Sequence, residues 1–287
     1  MGAFSILNNI SGLNSQNQLT LNSVNLSRTL LRLSSGKRIN SGADDAAGLQ
    51  IADSLRANVM ALNQAVRNAN DGISVAQIAD GALNEVGNLL NRAITLSEEA
   101  ATATVDSTGR ISLNNEFSQI EAEIARIASQ TNFNGTLIFS TSASAFGSSY
   151  SVFVGDTSGA SSISVTIGQI TADTANVTNL GGTNLQTVDL TTAASAATSL
   201  TTIKKAIDAV ATARAGLGSG VNRLQSAVAV LQSQSQNTTA AESTIRDANI
   251  AEEVANLTKF QILAQSGIAS LAQANTNSQQ VLGLLKL

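Results

Sequence analysis

The sequence predicts a mainly α-helical fold: a long antiparallel helical rod or coiled-coil bundle, with a small β-hairpin region at the midpoint of the chain. Three observations support this prediction. Apolar residues recur at alternating steps of four and three, there is no proline, and Ser, Thr and Gly replace the heptad pattern between residues 136 and 194. A heptad repeat gives a helix one narrow apolar face for packing against other long helices, which a proline ring would interrupt.

The longest predicted helix covers residues 44–100, after a break at Ser34–Ala43. Asp44 and Asp45 lie at its start, where negative charge favours a helix. From Ala47 to Leu96 it would be roughly 75 Å long at 1.5 Å per residue. Its apolar stripe includes the predicted assembly residues Leu55, Val59, Leu62, Val66 and Ile73.

Two further rod helices are predicted at residues 110–131 and 195–235. An Asn-Gly turn at Asn134-Gly135 follows the first, and a polar break near Ser235–Thr239 follows the second. The last helix carries a stripe whose predicted assembly residues are Val254, Leu257, Ile268 and Leu271.

Residues 136–194 are predicted to form short β-hairpins. Tyr150 and Val152 alternate with smaller or polar residues, and Ile163, Val165 and Ile167 do the same, which is typical of strands. The alternative is a disordered low-complexity loop, because tracts rich in Ser and Thr are often disordered.

The two halves of the chain mirror each other about this β segment, which predicts a long hairpin with the two termini side by side at one end and the β segment at the other. The apolar faces of residues 1–42 and 243–287 are thin, with polar gaps at Asn17, Arg28, Gln261 and Asn275. We therefore expect these terminal helices to be largely disordered in the monomer and to pair on assembly, when other copies cover them.

Composition argues against several functional classes. The 287 residues include no Cys and no His, which removes thiolate nucleophiles, imidazole bases and the usual zinc sites. The formal charge is −4, and no basic stripe with interleaved aromatic residues indicates nucleic-acid binding. No run of 18 apolar residues indicates a membrane-inserted helix, and the first residues lack the pattern of a cleaved signal peptide. We expect no enzyme activity and no cofactor.

Motifs at both ends of the chain carry a family resemblance. Those in the first half are Leu33–Ser41, Asp44–Gly48, Gly81–Val86 and Gln130–Gly135; those in the second half are Ala240–Ala248, Ala255–Leu263, Leu271–Asn275 and Val281-Leu282. Together they resemble the bacterial flagellins, over about residues 1–138 and 195–287. The resemblance implies a subunit without large outer domains, whose terminal helical domain, residues 1–42 and 243–287, forms the inner core of the flagellar filament. Residues 43–242 would form a rod domain that includes the 136–194 segment.

The resemblance also implies a function and partners. The chain would be exported unfolded and uncleaved by the flagellar export apparatus, with a chaperone at its carboxyl end. It would polymerise with itself outside the cell into the filament used for swimming, between hook-junction and cap proteins. The alternatives are a hook–filament junction protein and, in a different class, a secreted coiled-coil adhesin or effector.

Animal Toll-like receptors bind flagellins through a motif on the rod domain. By the spacing from Leu83–Glu85 and Phe133–Gly135, the resemblance places the matching positions at Arg92, Leu96 and Glu116. The alternative is that these three residues only pack or face solvent on two helices.

Overall fold

The structure, a computed structural model, describes residues 9–139, 146, 149–155, 162–173 and 176–284. Most of these residues lie in α1 (Ile10–Ser35), α2 (Ala46–Ala101), α3 (Ser107–Gln130), α4 (Ala193–Arg246) and α5 (Ile250–Leu284), so the predicted mainly α-helical fold is confirmed. The strands are β1 (Asn132–Phe133), β2 (Thr136–Leu137), β3 (Ser149–Phe153), β4 (Ser162–Thr166), β5 (Ile170–Asp173) and β6 (Asn176–Leu180). A short 3-10 helix spans Leu185–Thr187.

Contacts within the chain divide it into two compact units. The terminal unit consists of Met1–Val59 and Asn237–Leu287, and the central unit consists of Met60–Gln236. α2 and α4 contribute residues to both, whereas α1 and α5 belong to the terminal unit alone. The functional domain boundaries at residues 42/43 and 242/243 stay a prediction.

The core of the central unit is built on helix positions that alternate by three and four residues. Small side chains are frequent at these positions, so the helices can approach one another closely. On α2 the buried series is Leu62, Ala65, Ala69, Gly72, Ala76, Ala79, Leu83, Val86, Leu90, Ala93, Ser97 and Ala100. On α4 it is Ala196, Ser199, Ile203, Ala206, Val210, Leu217, Gly220, Leu224 and Leu231. Phe117, Ile120, Ile124 and Ala128 of α3 complete this helical core.

Polar contacts fix how the central helices meet. The buried Ser97 hydroxyl donates to the Ala196 carbonyl at 3.1 Å. Arg214 interrupts the apolar stripe of α4, and its Nε donates to Asp80 Oδ1 on α2 at 2.8 Å. At the carboxyl end of α2, the guanidinium of Arg110 donates to two carbonyls, including that of Ala100 at 2.8 Å. Ala100 lies in the last turn of α2, where carbonyls lack a partner within the helix, so Arg110 acts as a cap.

The predicted β-hairpins are confirmed. β3 and β4 pair antiparallel with Tyr150 opposite Val165 and Val152 opposite Ile163. Tyr150, Val152 and Val165 are buried, whereas the serines of both strands are exposed, as the alternation of a half-buried strand requires. Residues 156–161, between these two strands, lie outside the described residues. A second antiparallel hairpin joins β5 to β6.

Two helical glycines make room for the β3–β4 hairpin. A Cβ atom on Gly72 of α2 would lie 2.6 Å from Val152 Cγ2, and one on Gly220 of α4 would lie 2.6 Å from Val165 Cγ1. Tyr150 packs edge-on against Phe146, and its hydroxyl donates to the Gly72 carbonyl. The hairpin is therefore part of the core of the central unit.

The predicted Asn-Gly turn joins β1 to β2. Asn134 and Gly135 have φ values of 49° and 79°. Positive φ at both central residues is the geometry of a two-residue hairpin turn, and Asn and Gly adopt it with the least strain. The buried side chains of Ile138 and Phe139 follow directly and anchor the hairpin to the core.

One predicted helix end is wrong. The polar break expected near Ser235–Thr239 does not exist, because α4 continues through these residues to Arg246. Ser, Gln, Asn and Thr lower helix propensity only slightly, and this stretch has no Gly or Pro to end the helix. The break lies instead at Asp247–Asn249.

In the terminal unit, the connector between α1 and α2 pairs with the connector between α4 and α5. Lys37 and Asp247 form an isolated antiparallel bridge. The Arg38 N–H donates to the Arg246 carbonyl at 2.6 Å, and the Ala248 N–H donates to the Gly36 carbonyl at 3.0 Å. Gly36 ends α1 with φ of 69°, a left-handed conformation that glycine adopts without strain.

The Asp44 carboxylate holds the first connector in place. It accepts hydrogen bonds from the backbone N–H groups of Ser41 at 3.1 Å and Asn40 at 3.3 Å. These bonds, that from Ser41 foremost, lower the pKa of Asp44.

A methyl group at Gly72 should destabilise the central unit. Gly72→Ala would push Val152 away, and overpacking of this kind costs about 1–3 kcal/mol, more than the helix-propensity gain of up to about 1 kcal/mol. Gly81→Ala is the matched control on the same helix, since nothing lies within 4 Å of its Cβ position. In chemical denaturation, Gly72→Ala should lower and Gly81→Ala should raise the free energy of unfolding. Equal free energies of unfolding for the two variants would contradict the packing of the β3–β4 hairpin against Gly72.

Alkaline titration should report the burial of Tyr150. Burial raises its pKa to about 12 from the ordinary value of 10.0, against a smaller opposite effect of the Ala76 N–H. Because the folded-state pKa is the higher one, the stabilisation is complete below pH 10 and is lost as pH rises toward 12. The chain has one Tyr and no Trp, so tyrosinate absorbance reports this group alone. The Tyr150→Phe variant should not show the additional loss of stability as pH rises from 10 toward 12. Ionisation of Tyr150 near pH 10 in the native protein would contradict its burial.

Candidate assembly surfaces

Helices α1 and α5 of the terminal unit pack antiparallel, held by three polar contacts. Asn9 Nδ2 donates to the Ala274 carbonyl at 3.1 Å near one end. In the middle, Asn22 Nδ2 donates to the Phe260 carbonyl at 2.9 Å. Near the other end, Arg32 Nη1 lies 3.4 Å from Glu253 Oε1. Asn9 also caps α1 by accepting from the Gly12 N–H.

The surface between these two helices, which we call the terminal seam, also follows a three–four spacing. Its α1 positions are Gly12, Ser15, Leu19, Asn22, Leu26, Thr29 and Leu33; its α5 positions are Glu253, Leu257, Phe260, Ala264, Gly267, Leu271 and Ala274. Only Gly12, Asn22, Thr29 and Glu253 are buried. Every apolar side chain described in α1 and α5 is at least partly exposed, so the pair buries little hydrophobic surface.

Large apolar side chains on the outer faces of the terminal unit are exposed. Among the described residues, 12 of the 17 exposed large hydrophobic side chains belong to this unit, with Ile10 at 62% and Ile262 at 60% exposure. The others on α1 and α5 are Leu13, Leu21, Val24, Leu30, Leu31, Ile250, Val254, Leu263 and Ile268. So many exposed large apolar side chains on two helices indicate an interaction surface.

The predicted assembly residues divide between inner and outer positions. In the terminal unit, Leu55 and Val59 are half-buried on α2, and Leu257 and Leu271 are half-buried in the terminal seam. Val254 and Ile268 face outward, at 45% and 59% exposure. In the central unit, Leu62 is buried against Leu231 with Val66 beside it, and Ile73 packs against the main core. Their role in assembly stays a prediction.

Sequence reasoning missed the residues that form the terminal seam. Leu13, Leu21 and Val24 are among the most hydrophobic residues of α1, yet they point outward while Gly12 and Asn22 are buried. A signal was present, because Gly12, Leu19, Leu26 and Leu33 are spaced by sevens. The stronger apolar stripe on the other face concealed it.

Comparisons with known proteins give the family. The model of the bacterial flagellin N-terminal helical region matches residues 6–144, and the model of the C-terminal helical region matches residues 200–285. The chain is 36% identical over 287 residues to flagellin FlaB1 of Treponema pallidum (strain Nichols), covering 98% of this chain and 99% of that protein. The chain belongs to the flagellin family.

A second relative matches nearly the whole chain, and a solved structure matches part of it. The flagellin of Bacillus subtilis (strain 168) is 35% identical over 302 residues, with 98% of this chain and 99% of that protein covered. The crystal structure of Bacillus cereus flagellin is 30% identical and covers 61% of this chain and 94% of its own, with a TM-score of 0.48.

The candidate receptor positions of this flagellin lie on α2 and α3 of the central unit. Arg92 Nη2 is 2.6 Å from Glu116 Oε1, and both side chains are exposed. Leu96 is 0% exposed and belongs to the hydrophobic core. The Arg92 and Glu116 side chains are therefore accessible from solvent and the Leu96 side chain is not, and the receptor contact of the three positions stays a prediction.

The described helices of this flagellin contain no segment long and apolar enough to span a membrane. Within the same residues, no three Asp or Glu side chains cluster as ligands for a metal ion.

Proposed function

We propose that this chain is the structural subunit of the extracellular filament of a bacterial flagellum and that copies join through the outer faces of α1 and α5. The observation that supports this proposal is the exposed apolar surface of the terminal unit. Isolated chains would expose this surface to water, whereas a contact repeated from copy to copy without closing would cover it along a helical polymer. The two relatives that match nearly the whole chain are both named flagellin, which favours a filament subunit over a junction protein or an adhesin.

The polar terminal seam supports coupled folding and assembly. Ordering the backbone costs about 1–2 kcal/mol per residue, and the α1–α5 pair buries few apolar side chains against that cost. We infer that the pair is stable only when other copies cover its outer faces, so that its stability depends on concentration. The subunit would then reach the export apparatus and its carboxyl-end chaperone with unfolded ends, and meet hook-junction and cap proteins outside the cell.

Receptor recognition would use the exposed pair Arg92 and Glu116. Both project from neighbouring helices, so a receptor could contact them together in the monomer. The ion pair between them is solvent-exposed, and such pairs contribute only about 0–1 kcal/mol to stability. Replacing either residue therefore tests binding without unfolding the central unit.

Assembly should fail when the terminal unit is removed or its outer face is made polar. Purified full-length chain should extend filament seeds under the electron microscope, whereas residues 43–242 alone should stay soluble, helical and unassembled. Ile262→Ser should slow seeded growth, because it places a hydroxyl in the proposed contact. Val230→Ser is the matched control, since Val230 of the central unit is 64% exposed. In hydrogen exchange, the amides of α1 and α5 should become protected only in the filament. Protection already in the monomer, or filaments from residues 43–242, would contradict this mechanism.

A Toll-like-receptor reporter assay on the monomer should distinguish residues that contact the receptor from residues that pack in the core. Arg92→Ala and Glu116→Ala should weaken the response and leave thermal unfolding nearly unchanged. Leu96→Ala should lower the free energy of unfolding by about 2–5 kcal/mol, the usual result of truncating a buried leucine. No response to the monomer, or unchanged responses from both surface variants, would remove the receptor assignment and leave the filament function intact.

A further inference from the structure

The apolar part of the terminal seam is ambiguous about how far α1 is shifted along α5. Leu19, Leu26 and Leu33 repeat at intervals of seven residues, and so do Leu257, Ala264 and Leu271. Sliding one helix by seven residues, about 10.5 Å, would place similar side chains opposite each other again. These repeated positions alone therefore do not select one register, and other features must do so.

Asn22 is suited to select the register. It is 8% exposed, and its short side chain reaches the Phe260 carbonyl at 2.9 Å. That carbonyl is accessible because the next two seam positions on α5 are Ala264 and Gly267. One heptad away in either direction, the corresponding carbonyl lies beneath Leu257 or Leu271. A slipped Asn22 would thus lose its acceptor while remaining buried, which is unfavourable.

Glu253 adds a second condition. Its side chain is 9% exposed and is paired with Arg32. In a slipped pair the carboxylate would face the region of Leu26, or lie beyond the end of α1, and would lose the guanidinium. A buried charge without its partner is strongly unfavourable. The contact of Asn9 with Ala274 is partly exposed and near a helix end, so it constrains the register less.

We propose that Asn22 and Glu253 are the positioning residues that fix the axial register of α1 against α5. A buried asparagine selects the register of coiled coils in the same way, at some expense of stability. The register describes α1 and α5 of one copy. Measuring it in filaments rests on the proposed function. Correct register would give every copy the same outer apolar pattern, which a regular polymer requires.

Disulfide formation can measure the register, because the chain has no cysteine of its own. Leu19→Cys with Gly267→Cys reports the observed register, since a Cβ at position 267 lies 3.3 Å from Leu19 Cδ1. Leu19→Cys with Ala274→Cys, or with Phe260→Cys, reports a slip of one heptad in either direction. A disulfide needs Cα atoms within about 7 Å, so each pair reports one register. A non-reducing gel separates crosslinks within one copy from those between copies.

Filaments of the full chain carrying each cysteine pair should crosslink within one copy only through the observed-register pair. Adding Asn22→Leu and Glu253→Leu together should raise the ratio of slipped to observed crosslinks by about tenfold or more, equal to about 1.4 kcal/mol. Asn25→Leu is the matched control, because Asn25 is exposed on the same helix. It should leave the ratio unchanged.

The outcomes separate the two proposals. Unchanged ratios in the double variant, or the same change from Asn25→Leu, would overturn the positioning role. If the parent chain forms no filaments, the proposed function fails, and the same crosslink ratios in the soluble chain then decide the register.

Discussion

Close approach of α2 and α4 is the packing constraint on which the rest of the central unit depends. Alanine, glycine and serine occupy much of the buried three–four series on both helices, so the backbones come near enough for Ser97 to reach the Ala196 carbonyl. The recesses at Gly72 and Gly220 then receive the β3–β4 hairpin. A hairpin that is barely stable alone gains its order from this surface, and it covers the helices in return.

The terminal unit has the same three–four helical spacing, but the side chains that it buries are mainly polar. Its seam buries an asparagine, a threonine, a glutamate and a glycine, and its leucines lie half-exposed or outside. A pair of this kind is specific without being strong, because polar contacts select a geometry and contribute little net free energy. If α1 and α5 packed strongly against each other, contact with other copies would add less to their stability. Weak inner packing therefore suits a chain that must first leave the cell and then assemble.

Features set by local chemistry could be predicted from the sequence. The heptad steps of α2 to α4, the Asn134-Gly135 turn and the alternation around Tyr150 and Val165 all correspond to observed elements. Features that depend on the balance between opposing local preferences, or on which helix face packs inward, could not be predicted from the sequence. The continuity of α4 past Ser235 depended on helix propensity outweighing polarity. The inward face of α1 depended on a partner helix distant in the sequence.

The paired connectors restrict how proteins of this kind can change in length. The stretch between α1 and α2 shares backbone hydrogen bonds with the stretch between α4 and α5, through Gly36, Arg38, Arg246 and Ala248. A residue inserted into one stretch would misalign the other, although more than 200 positions separate them in the chain. Insertions and deletions during evolution are thus disfavoured at both places together. The same reasoning gives a rule for engineering, because foreign peptides should be grafted into the midpoint of the chain and kept away from either connector.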